Sequence, residues 1–253
     1  MPRTVDVKAW RRARRAALVA RRLAAGASTR RRWSARIADL LRGGFASLAA
    51  RPVGVYAPFR GEPDVRAAVD HWRRAGATTA LPVVTSRAAP LEFRVFRPGT
   101  RMRKGVFGLP IPQGTPAVLP DALLIPMVGF DARGYRLGHG GGYFDRTLAA
   151  LAPPPLKIGI AFELSRMATI RPQDHDIPMD FVVTEAGIHA VTPAGLELVT
   201  DSRRLDAIVR SRLGRLAARD EPRPSASPAC YAHEFEGDGR AVGVDTHRGR
   251  ARQ

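Results

Sequence analysis

An α/β fold built on a mainly parallel sheet is predicted here, and three observations predict it. Short apolar runs of four to seven residues recur between residues 53 and 191, as the buried strands of such a sheet do. Segments of helical periodicity lie between them, the alternation expected of parallel pairing. A glycine-rich stretch, Gly138-His139-Gly140-Gly141-Gly142, stands between one apolar run and a helical segment, where open sheets place their ligands. With a basic helical segment in front, these describe a Rossmann-like three-layer sandwich, helices covering both faces of the sheet.

Taken in order, residues 5–25 suit a helix with Trp10, Ala13, Ala17, Ala20 and Ala24 as its apolar stripe, ended by Gly26. Ser28 is placed to cap a second helix carrying Trp33, Ile37, Leu40 and Leu41 on one face and closed by Gly43-Gly44. "VGVYA" (53–57) reads as a buried strand, and "PDVRAAVDHWRRAG" (63–76) as a helix with Pro63 in its first turn. "TALPVV" (79–84) is the next strand, and "LEFRVF" (91–96) alternates like a half-exposed one. A Gly/Pro-rich link leads to "ALLIPMV" (122–128), the glycine stretch, a helix to about Leu151, and "LKIGIAF" (156–162). "FVVT" (181–184) and "GIHAV" (187–191) finish the strands. Residues 202–218 suit an amphipathic helix through Leu205, Ile208, Val209 and Leu216. Beyond Asp220 the Pro, Ser, Gly and Arg content predicts disorder. Trp10, Trp33 and Trp72 read as core residues rather than base-stacking platforms. One domain over residues 1–200 and an extension over 201–253 are expected.

Composition bounds the function. No apolar run approaches a membrane span, and a single cysteine, Cys230, excludes an internal disulfide framework. A soluble, cytoplasmic, monomeric protein is expected. The arginine-rich N-terminus admits a transit peptide, but no apolar region follows it as a secretory signal requires. The net charge of +18 raises nucleic acid as a partner, and residues 1–36 hold twelve basic side chains against one acid, Asp6. Lys8, Lys104 and Lys157 are the only lysines, so the arginine excess fits a GC-rich genome as well as a functional need. No nucleic-acid motif accompanies it; incidental binding is the expectation. Phosphate of any kind suits a basic helix.

The glycine stretch admits two readings. Its glycines let backbone N–H groups turn toward an anion at the start of a helix, with Arg136 as a charged donor; or it is a Gly-rich hairpin with no ligand. A Walker A loop is excluded, because Tyr143 and Phe144 stand where Lys and Ser/Thr are needed. The dinucleotide GxGxxG fails on spacing as well. Asp145 either complements the helix dipole or holds Mg²⁺ beside phosphates. Glu62 either caps the helix at Pro63 or faces a ligand after the first strand. Asp174, His175 and Asp176 crowd too closely for a zinc site.

"LIPMVGFDARGYRLGHGGGYFDRTL" (124–148) resembles the signature of the 5-formyltetrahydrofolate cyclo-ligases, also called methenyltetrahydrofolate synthetases. Three weaker segments follow the family's order: "KAWRR" (8–12), "YAPFRGEPDV" (56–65) and "HDIPMDFVVTE" (175–185). The resemblance covers about residues 8–195 and assigns the basic N-terminal helix to the enzyme rather than to a transit peptide.

That resemblance implies ATP-dependent closure of 5-formyltetrahydrofolate to 5,10-methenyltetrahydrofolate, with Mg²⁺ as cofactor. It implies ATP contacts at Lys8, Arg12, Arg136, Leu137, Gly138, His139, Gly140, Gly141, Gly142, Tyr143 and Phe144. It places the folate against Ala57, Glu62, Phe107 and the loop from His139 to Tyr143, and Mg²⁺ on Asp145 and Asp180. Three positions depart from the pattern: Arg11 for the usual Leu, Gly141 where some members have Lys, and Phe144 for the second Tyr. A generic ATPase acting on another substrate is the competing enzymatic reading. The chemistry needs no nucleophilic side chain. A formyl oxygen that attacks the γ-phosphate becomes a phosphate leaving group, and the protein positions and stabilises.

Overall fold

The computed structural model describes residues 6–216, the side chain of Phe107 excepted. Helix α1 spans Val7–Ala24 and opens on Asp6, whose carboxylate accepts from Ala9 N at 3.1 Å. Helix α2 (Ala27–Gly44) follows at once, because Gly26 takes φ +74° and Arg30 closes the end of α1 on the Arg22 and Leu23 carbonyls. Ser28 therefore lies inside α2 and caps nothing. Strand β1 (Pro52–Gly54) and helix α3 (Arg66–Arg74) come next. Pro63 precedes α3 rather than entering it: Asp64 accepts from Arg66 N at 3.1 Å, and the Pro63 carbonyl accepts from the Tyr56 hydroxyl at 2.7 Å.

Strands β2 (Thr78–Val84) and β3 (Leu91–Val95) form an antiparallel pair, and the Gly/Pro-rich link contains a hairpin of β4 (Met102–Lys104) and β5 (Pro110–Pro112). Strand β6 (Ala122–Pro126) leads into a short antiparallel pair, β7 (Gly129–Asp131) and β8 (Arg136–Leu137). Helix α4 (Tyr143–Ala150), β9 (Leu156–Ile160) and the two-residue β10 (Arg166–Met167) follow. Strands β11 (Phe181–Thr184), β12 (Gly187–Thr192) and β13 (Gly195–Leu198) and helix α5 (Ser202–Gly214) complete the described chain.

The main sheet has eight strands in the order β13-β12-β11-β9-β6-β1-β2-β3. Its five central strands are parallel, and antiparallel strands flank them on both sides. Alternate residues of each central strand face opposite layers. Leu124, Ile158, Phe181 and Val183 join the layer of α2, α3 and α5, while Leu123, Ile125 and Val182 join Leu148 of α4. Burial on both sides explains the uninterrupted apolar runs. Each fully buried Leu, Ile or Val there contributes about 1.5–3 kcal/mol.

Three further expectations are corrected. The extension is expected from residue 201, yet Leu205, Val209, Leu213 and Leu216 pack into the same cluster as Ile37 and Phe45, and Arg212 bonds Asp180. An amphipathic helix with a complete apolar face belongs to whatever core it can cover, so α5 is part of the domain. The disorder expected beyond Asp220 concerns residues outside those described. The buried face of α1 is not its alanine stripe but Arg11, Leu18 and Arg22. Asp176 and two carbonyls hold Arg11, and the Arg60 and Met127 carbonyls accept from Arg22, a pattern that a count of apolar residues passes over. Trp72 is fully buried and Trp33 packs on the core, whereas Trp10 lies half-buried under the guanidinium groups of Arg14 and Arg171.

Candidate active site

The chain runs from β1 to β2 on one side and returns through β6 on the other, so a crevice opens at the carboxyl ends of β1 and β6. A cleft of about 620 Å³ lies there, lined by Tyr56, Ala57, Glu62, Val84, Pro126 and the loop from Arg136 to Asp145, among others. A second cavity of about 650 Å³ borders it, lined by Lys8 and Arg12 and sharing Arg15, Arg60, His139 and Gly140 with the first. The glycine loop thus stands between an apolar cleft and a basic one.

Its backbone needs those glycines. Gly140 takes φ +101°, and Gly142, the N-cap of α4, takes φ +64°, both costly for a residue with a Cβ. The helix begins without a side-chain cap hydrogen bond, since its N-cap is a glycine. Side chains secure the loop from three directions. Arg15 Nε donates to the Gly138 carbonyl at 2.8 Å, and Arg146 Nη2 to that of Gly141 at 2.9 Å. Glu62, buried, accepts from Phe59 N at 3.0 Å with one oxygen, while its other oxygen lies 2.8 Å from His139 Nε2. Glu62 therefore faces the cleft, and Asp64, not Glu62, accepts from Arg66 N at the start of α3.

Arg11 is tied to Asp176 and donates to the carbonyls of Ile170 and Arg171, anchoring the 170–176 segment beside the cleft. Burial opposes ionisation of Asp176, but hydrogen bonds from Arg11 and Gln173 N, with the charge of Arg11, outweigh it and hold the carboxyl below its usual range. Arg136 pairs with Asp145 at 2.7 Å, both largely buried, and stacks over Phe144. Lys8 and Arg12 are exposed on α1 and line the basic cavity.

The structure thus gathers Lys8, Arg12, Arg136, Ala57, Glu62 and the stretch 137–145 around two joined cavities. It does not bring the two carboxylates expected to hold Mg²⁺ together. Asp180 stands just before β11, at the amino end of the parallel strands. There it accepts from Lys157 N at 2.9 Å and pairs with Arg212 at 2.8 Å and Lys157 at 3.6 Å. Its charge is spent on α5 and β9, far from the cleft end. Asp145, paired with Arg136, and Asp180 therefore do not form one site for a protein-held Mg²⁺. Among the described residues no group of three or more His, Cys, Asp or Glu is arranged to hold a metal ion. Phe107 lies in a single turn of helix at 106–108, and its side chain is outside those described. Arg15 and Phe59 are not singled out by the sequence, Arg11 appears there only as a departure from the family pattern, and Asp176 only in a rejected zinc cluster. The spacing of Arg11, Arg15, Leu18 and Arg22 on one helical face was the available signal.

Fold and site define an α/β enzyme of the open-sheet class, with a ligand cleft at the strand carboxyl ends and a glycine loop dividing it from a basic cavity. The sequence pattern of the 5-formyltetrahydrofolate cyclo-ligase family matches residues 7–185, and the chain belongs to that family. It is 35% identical over 158 residues to the 5-formyltetrahydrofolate cyclo-ligase of Mycolicibacterium smegmatis, a match spanning 58% of this chain and 81% of that one. The Escherichia coli 5-formyltetrahydrofolate cyclo-ligase is 32% identical over 146 residues, covering 55% and 80%. The solved structure of Aquifex aeolicus 5,10-methenyltetrahydrofolate synthetase superposes with a TM-score of 0.64 at 26% identity, over 75% of this chain and 96% of that one. No helix among the described residues is long and apolar enough to cross a membrane.

Proposed function

We propose that this chain performs the reaction that defines its family, ATP-dependent cyclisation of 5-formyltetrahydrofolate to 5,10-methenyltetrahydrofolate, with the two cavities as its two substrate sites. One observation carries the assignment of sites: the signature loop forms the shared wall between a basic cavity and a largely apolar cleft. ATP belongs in the basic cavity, its phosphates against Gly138–Gly142 with Lys8 and Arg12 at the rim. The reduced folate belongs in the cleft, against Ala57, Glu62, Tyr143 and Phe144. Glu62 offers a buried carboxylate to the N–H groups of the pterin, and His139 holds it in place.

The formyl oxygen, an amide-like acceptor, forms a bond to the γ-phosphorus as the bond to ADP breaks. The anilino nitrogen then attacks the activated carbon and loses its proton, and inorganic phosphate leaves with the former formyl oxygen. The protein's work in this is positioning and charge stabilisation. Mg²⁺ brought with ATP would draw most of its ligands from phosphates and water, and Asp145, paired with Arg136 beside the loop, is the carboxylate that would hold it; it would offset phosphate charge there. We place the reaction in the cytoplasm.

The deciding experiment uses 5-formyltetrahydrofolate carrying heavy oxygen in its formyl group. Turnover dependent on both substrates, with the label recovered in inorganic phosphate by mass spectrometry, is the expected result. ATP hydrolysis indifferent to the folate would point to a generic ATPase, and label found only in water would refute activation of the formyl oxygen.

A further inference from the structure

Three guanidinium groups converge where the two cavities meet, and two of them have carboxylates. Arg11 is held by Asp176 and Arg136 by Asp145. Arg15, one turn beyond Arg11 on α1, makes no ion pair among the described residues. Its Nε is fixed by the Gly138 carbonyl at 2.8 Å, the one hydrogen bond of its guanidinium among the described residues. The guanidinium lies against the loop: a Cβ on Gly140 would stand 3.4 Å from its Cζ and Nη1. Arg15 also borders both cavities. Burial disfavours its charge, the charges of Arg11 and Arg136 add to that, and Asp176 only partly offsets them. An anion at this junction would supply the missing counter-charge. The loop from Gly138 to Gly142 contains no lysine or arginine of its own, so a cation must reach that point from another element.

We propose that Arg15 is a catalytic residue, its Nη groups holding the phosphoryl group as it passes from ATP in one cavity to the formyl oxygen in the other. This rests on the function assigned above. In that step the formyl oxygen contributes the electron pair of the new O–P bond, and the bridging oxygen of ADP keeps the pair of the bond that breaks. Negative charge spreads over three equatorial oxygens, and a planar guanidinium with two outward N–H edges matches them. Arg15 is set before substrate arrives, by Arg11–Asp176 one turn back and by its own bond to Gly138, so little reorganisation accompanies the transfer.

The test compares wild type, Arg15→Lys and Arg15→Ala, each checked for an unchanged melting temperature. Steady-state turnover of 5-formyltetrahydrofolate is measured beside calorimetric binding of ADP and of the β,γ-imido analogue of ATP. Arg15→Ala is expected to lower kcat about 1000-fold, in the range of arginines that stabilise phosphoryl transfer. ADP affinity should stay within about threefold, the imido analogue should weaken more than ADP, and Arg15→Lys should recover only part of kcat because it lacks the planar fork. Equal weakening of ADP and the analogue would make Arg15 a strut for the Gly138 carbonyl and overturn the proposal. So would a kcat for Arg15→Ala equal to that of an active wild type, which leaves the functional reading intact. An inactive wild type would instead overturn that reading, and this inference with it.

Discussion

Glu62 shows what a single residue's surroundings decide. In the sequence it stands beside Pro63 and reads equally as a helix cap or as a ligand to substrate. The fold separates the two readings, since Asp64 accepts from Arg66 N at the start of α3 while Glu62 is buried between Phe59 N and His139. Replacing Glu62 with Gln keeps the shape and removes the charge. Losing a charge-assisted hydrogen bond of this kind lowers affinity by about 10–100-fold. The KM for 5-formyltetrahydrofolate is therefore expected to rise by that factor, with the KM for ATP within about twofold. Steady-state kinetics with each substrate varied in turn checks it, and equal losses for both would mean that Glu62 serves the loop instead. Arg11 makes the complementary point. It occupies a position that the family gives to Leu, yet it is buried, because Asp176 and two carbonyls satisfy its guanidinium.

Among elements, the central strands were legible because burial on both faces leaves continuous apolar runs, as in 122–126, 156–160 and 181–184. The hairpin of β4 and β5 and the edge strand β13 were not, since short strands at the margin need few apolar residues and take their partners from elsewhere. Helix α5 was legible as a helix but not as part of the core. Its inward residue Val209 is fully buried, so Val209→Asp places an unpaired charge in the main cluster. Such a change destabilises by about 3–5 kcal/mol and should lower the melting temperature by about 10 °C. Arg210→Ala, on the exposed side of the same helix, should shift it by less than about 2 °C, because exposed ion pairs contribute little. Thermal unfolding followed by circular dichroism measures both, and equal small shifts would return α5 to the status of an appendage.

At the scale of the molecule, charge and burial act together in ways the net charge of +18 conceals. Arg11 and Arg22, two of the residues that suggested a nucleic-acid surface, are turned inward. Beyond the carboxyl end of β9, Arg166 lies between Glu163 and the buried His189. Burial and the charge of Arg166 hold the His189 imidazole below its usual range, with Glu163 opposing. The unfolded chain takes up that proton near pH 6.5 and the fold resists it, so this contribution to stability is intact above about pH 6.5 and declines as pH falls below. The melting temperature of wild type should accordingly fall more steeply between about pH 7 and 5 than that of His189→Gln; parallel curves would sink the assignment. By itself the sequence determined the α/β class, the strand cores and the signature loop, because local periodicity and glycine spacing are properties of neighbouring residues. Only the tertiary structure decided that α5 belongs to the core, that Asp180 is spent on Lys157 and Arg212, and that Arg15 meets the loop at the junction of two cavities. Those outcomes depend on which distant groups pack together or satisfy a charge once water is excluded, and the two ends of the Arg15–Gly138 contact lie 123 positions apart in the chain.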